Sequence, residues 1–140
     1  MAPSQADMYE YLLWRDPYAF IQRSFLELNP QVQFQPGWHL EVLAAKLVDV
    51  LEGRCKRLIL NVPPRHLKSH AVSIAFSAFV LGHDPSKQII SVCYAQDLSD
   101  HFARESRTLM VSPFIGLPAF RARSGSAATK PRGMTSPMSR

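Results

Sequence analysis

Four absences bound what this chain can be. No apolar run reaches the length needed to span a membrane, and the first residues lack the pattern of a secretory signal. There are only two cysteines, Cys55 and Cys93, and their separation fits neither a metal site nor a redox pair. A reduced, cytoplasmic setting is therefore expected. Acidic residues vanish after Ile115, where Arg121, Arg123, Lys130, Arg132 and Arg140 stand with no acid among them. Up to Ile115 the eleven Lys and Arg balance eleven Asp and Glu. The formal charge of +5 thus belongs to the last stretch and does not describe a DNA-binding face on the rest. Glycine is missing from Arg54 to Leu81, including the one loop where a phosphate cradle would want it.

That loop sits in the most structured-looking stretch, Arg57-Leu-Ile-Leu-Asn-Val-Pro-Pro-Arg-His-Leu-Lys-Ser69. Leu58 to Leu60 is a branched apolar run of strand size. Pro63-Pro64 ends it, since neither residue has an N–H to donate. Arg65, His66, Lys68 and Ser69 follow at the mouth of an apolar helix, His70 to Leu81. A lysine and a hydroxyl at a helix start are placed as in a phosphate-binding (Walker A) loop. There the free N–H groups and helix dipole face the anion, the Lys reaches the β/γ-phosphates, and the Ser binds Mg²⁺. The two glycines of G-x-x-x-x-G-K-[ST] fall on Val62 and Leu67. The bland alternative is a turn with a basic rim. His66 and His70 are spaced i,i+4, but Leu67 stands where H-E-x-x-H needs Glu.

Three separated blocks occur in order: Arg57 to Ser69, Phe79-Val-Leu-Gly-His-Asp-Pro-Ser-Lys-Gln-Ile-Ile90, and Tyr94-Ala-Gln-Asp-Leu98. Together they resemble the N-terminal ATPase region of the bacteriophage and prophage terminase large subunit, in the group whose loop reads Pro-Pro-Arg-His-Gly-Lys-Ser. The resemblance covers about Gln35 to Met110 and departs at Leu67, where that group has glycine. It implies an ATP-driven motor that packages and cuts viral DNA in a bacterial host cell. Its partners would be double-stranded DNA, the small terminase subunit and the portal. It implies that Lys68 neutralises the phosphates of ATP, that Ser69 holds Mg²⁺ through the nucleotide, and that Arg65 and His66 flank the phosphate. Phe34, Gln35 and His39 stand where motors and helicases of this kind read adenine; a packing role is the competing reading.

The expected fold is α/β, a partial P-loop NTPase. Residues 1–56 form an N-terminal helical region, 57–115 a strand-loop-helix-strand core, and 116–140 a disordered basic tail. Asp7 caps a first helix, with Glu10 completing a capping box. Asp16-Pro17 starts a second helix, with Phe20, Ile21, Phe25 and Leu28 on one face, and Asn29-Pro30 stops it. A third runs from Trp38 with Leu40, Leu43, Ala44, Leu47 and Leu51 on a stripe, and Glu52-Gly53 ends it. Gly82 ends the helix after the loop. Gln88 to Tyr94 is a second strand, and Asp97 caps a last helix with Leu98, Phe102 and Leu109.

ATP hydrolysis also needs a Mg²⁺-holding acid on a further strand and a water-orienting carboxylate. In the terminase family both lie downstream of Met110, and a nuclease domain follows. The chain is therefore expected to lack turnover by itself. The Ala/Arg/Ser/Pro/Gly bias from Gly116 onward suggests a shifted reading frame. Two other readings stay open: a helicase-like ATPase fragment, and a non-catalytic remnant or interaction module.

Overall fold

The computed structural model describes residues 4–113 and 115. Among these the regular structure is helical: α1 (Gln5–Arg15), α2 (Pro17–Leu28), α3 (Trp38–Leu51), a π-helical stretch (His70–Phe76) running directly into α4 (Ser77–His83), and α5 (Gln96–Met110). None of the helices is long and apolar enough to cross a membrane. The expectations for residues 116–140 lie outside the described residues.

The boundaries follow local chemistry. Ser4, rather than Asp7, caps α1: its hydroxyl accepts from the Asp7 N–H, and the Asp7 carboxylate accepts from the Ser4 N–H. The Ser4 hydroxyl also donates to the Asp7 carboxylate at 2.8 Å, and this bond, with the one from the Ser4 N–H, holds the Asp7 carboxyl below its usual range. Asp16 caps α2 through the Tyr18 N–H, with Pro17 at the first helical position. At the end of α3, Gly53 takes φ +76° and donates to the Val50 carbonyl, a left-handed stop that suits glycine. Gly82 does not end its helix, which continues to His83 and is capped by the Asp84 N–H donating to Val80 O. Asp97 lies inside the first turn of α5, and Ala95 occupies the cap without a side-chain bond.

α2 is the hub: it packs against α1, α3, the π-helical stretch and α5. Phe20, Ile21, Leu40, Leu43, Leu47, Ile74, Phe79 and Leu109 form one core. Phe20 meets Phe79 edge-on at 5.3 Å, and Phe25 meets Phe34 at 5.5 Å. Along the π-helical stretch and α4, buried positions recur every four residues: His70, Ile74, Ala78 and Ala71, Ala75, Phe79. An α-helix turns in 3.6 residues, so such rows drift; the wider π turns at the start hold them on the core face.

The α/β expectation is overturned. No strand or sheet occurs among the described residues. Neither segment read as a strand has regular structure or a paired neighbour, so there is no strand-loop-helix-strand core among the described residues. The alternation of residues 58–62 is real: Leu58, Leu60 and Val62 are half-buried while Ile59 and Asn61 are exposed. Alternation, however, dictates only which side chains face the core. A sheet also needs a neighbouring strand to accept its N–H groups, and here Leu58 and Leu60 pack on helices instead.

Candidate functional site

The helix that follows the prolines begins at Lys68, so Lys68 and Ser69 occupy its first positions. Arg65 and Leu67 both adopt left-handed backbone, at φ 63° and 56°. For residues with a Cβ this costs about 1–2 kcal/mol each. Leu67 thus takes, despite its Cβ, the left-handed conformation that glycine would favour. Its isobutyl group packs towards the core cluster. The Leu67 carbonyl accepts from the Ala71 N–H at 2.8 Å, which ties the loop to the first helical turn.

Lys68 folds back, and its Nζ donates to the Val62 carbonyl at 3.0 Å. This bond closes the loop across the intervening residues. The His66 Nδ1–H donates to the Pro64 carbonyl at 2.8 Å, so that nitrogen carries the ring proton. The result is a hollow of about 530 Å³ lined by Pro64 to His70. Arg65, His66, Lys68 and Ser69, the four residues singled out from sequence, all line it. Backbone N–H groups of a tight turn and of a helix start, beside the Lys68 ammonium and the Arg65 guanidinium, suit an anion. Among the described residues no carboxylate lines this hollow.

A second, apolar groove of about 390 Å³ adjoins the loop. Its lining includes Trp38, His39, Val42, Lys46, Asn61 and His66. The His39 and His66 rings meet edge-on at 5.3 Å, and Trp38 meets His39 at 6.4 Å. His66 belongs to both concavities. Of the residues placed on the adenine side, His39 lines the groove, Gln35 is exposed and lines neither concavity, and Phe34 is buried against Phe25. Trp38, Lys46 and Asn61 were not singled out by sequence. The only available signal was Trp38, a large aromatic next to a helix-starting Gly37.

His66 and His70 do not form a pair. His70 is 8% exposed, and its Nε2 lies 3.1 Å from Ser24 Oγ and 3.4 Å from the Ile21 carbonyl of α2. Ser24 is wholly buried and donates its own proton to Ile21 O, so it accepts from His70 Nε2–H. Burial pushes the imidazole below its ordinary value, partly opposed by the Ile21 carbonyl. This buried link joins α2 to the residue that follows Ser69. Among the described residues no cluster of His, Cys, Asp and Glu could hold a metal. No protein-family model matches the chain, and no curated protein or solved structure does either.

Proposed function

We propose that residues 62–69 bind the polyphosphate of a nucleoside triphosphate, and that the chain is part of a protein like the terminase large subunit. The observation that carries the reading is the closed loop: Leu67 in left-handed backbone immediately before Lys68, with Lys68 Nζ held on Val62 O at 3.0 Å. On binding, the ammonium exchanges that carbonyl for phosphate oxygens, a charge-assisted bond that is shorter and stronger. Arg65 adds a second cation at the rim. The Ser69 hydroxyl, at the second helical position, is placed to reach a Mg²⁺ carried by the nucleotide. The groove beside Trp38 and His39 offers a planar, mostly apolar surface for the base, with the Asn61 amide at its edge. His66 stands between base and phosphates.

Double-stranded DNA, a small terminase subunit and a portal are the partners proposed for the whole protein. With no carboxylate at the hollow to orient water, the loop binds ATP without turning it over. Titration with a fluorescent ATP analogue and Mg²⁺ tests this. Saturable binding is expected, weakened in Lys68→Ala and strengthened in Leu67→Gly, where glycine adopts the left-handed backbone without strain. Inorganic tripolyphosphate should compete. Equal affinity of the wild type and Lys68→Ala, in folded protein, would sink the assignment.

A further inference from the structure

The segment between α4 and α5 presents an apolar row with no cover. Ile90, Val92 and Tyr94 are 88%, 86% and 96% exposed. They share one parity of the sequence, so in strand conformation they would project from one face. Residues 88–94 make no hydrogen bond, through backbone or side chain, to other described residues. An extended segment with open N–H and C=O groups and a hydrophobic face is a template for another strand.

We propose that Gln88–Tyr94 pairs antiparallel with the same segment of a second copy of this chain, about a two-fold axis at Ser91. The proposal is independent of the loop reading. The sequence of the segment, Gln-Ile-Ile-Ser-Val-Cys-Tyr, is self-complementary in that register. Ser91 meets Ser91, each Ile90 meets a Val92, and each Tyr94 meets a Gln88, so the apolar row packs on its own copy. A slip by one residue would set that row against Ser91 and Cys93. Charge favours the same arrangement. No residue from 88 to 94 is charged, Lys87 flanks one end and Asp97 lies just past the other. Antiparallel pairing brings Lys87 towards Asp97 of the second copy, whereas a parallel pair would stack Lys87 on Lys87.

The other unpaired segment does not qualify. Residues 58–62 are flanked by Lys56 and Arg57 on one side and Pro63, Pro64 and Arg65 on the other. Self-pairing there would oppose like charges and run into two residues without N–H groups.

A strand pair of this length buries far less than the roughly 1,200 Å² of a standard interface, so a concentration-dependent, reversible dimer is expected. Sedimentation equilibrium of the full chain should give a mass rising from one copy to two, and Ile90→Glu with Val92→Glu should return it to one copy. The exposed positions leave the helical circular dichroism unchanged. In a Cys55→Ser, Cys93→Ser background, Ser91→Cys should form a disulfide-linked dimer on mild oxidation and Ser86→Cys should not. A monomer at every concentration overturns the proposal. So does equal cross-linking at both positions, which would mean association without register.

Discussion

The helical core around α2 and the two irregular segments, 58–62 and 88–94, use the same kinds of side chain and fare differently. Phe20, Leu40 and Ile74 are at most 1% exposed, while Ile59, Ile90 and Val92 are at least 86% exposed. A helix satisfies its own main chain, so it needs only a surface to cover its apolar stripe, and α2 provides one. An extended segment satisfies nothing internally and needs neighbours along its edges as well as on its faces. Apolar content alone therefore does not decide burial; the hydrogen-bonding economy of the backbone does.

The sharpest way to break this comparison is to remove one large side chain from each region. Phe20→Ala should lower unfolding stability by about 3–5 kcal/mol, because the cavity lies at the centre of the core. Denaturant melts would read it, and a loss below 1 kcal/mol would mean the α2 hub is not the core. Ser24→Ala should cost about 1–3 kcal/mol by stripping the buried His70 Nε2–H of its nearest acceptor. His70 also gives that region a pH dependence. Its pKa is lowered in the folded chain from an ordinary 6.5, so the unfolded chain binds the proton more readily. Stability should fall on acidification below about pH 6.5 and level off once pH passes beneath the lowered folded value. His70→Gln should flatten that slope, and an unchanged slope would assign it elsewhere.

Smaller effects sharpen the comparison at the loop and at segment 88–94. Arg65→Gly removes a left-handed penalty at an exposed residue and should raise the midpoint, by about 1 kcal/mol or less. A drop in stability would show that the Arg65 side chain matters more than its backbone. Ile90→Ser, measured in dilute protein, should change stability by no more than about 0.5 kcal/mol, since nothing in the folded chain covers that side chain. A loss near that of Phe20→Ala would mean the segment is buried after all.

Much of the helical architecture was legible because its signals are local. Asp16-Pro17 starts α2, Asn29 ends it, and Gly53 terminates α3 through backbone that only glycine adopts freely. Gly82 misled because a helix packed on a core tolerates glycine when the following residues still gain contacts: His83 stacks on Trp14 at 4.6 Å and reaches its carbonyl. The loop residues Arg65, His66, Lys68 and Ser69 were singled out from their spacing, and as part of one continuous run they line one hollow. The groove beside Trp38 was not legible, since Lys46 and Asn61 are distant in sequence and meet only through the packing of α3 against residues 60–63.

The sequence by itself determined the Asp16-Pro17 start of α2, the stops at Asn29 and Gly53, the apolar stripes and the set of polar residues at the loop. Each depends on hydrogen bonds and sterics within a few residues, so the information travels with the sequence. Only the tertiary structure decided three other things. It buried His70 on Ser24, drew Lys68 back onto Val62, and left two strand-like segments without strands beside them. Those outcomes depend on what lies across from a residue in space. A period of two or a lysine before a serine specifies which way a side chain faces, and never which partner is waiting there.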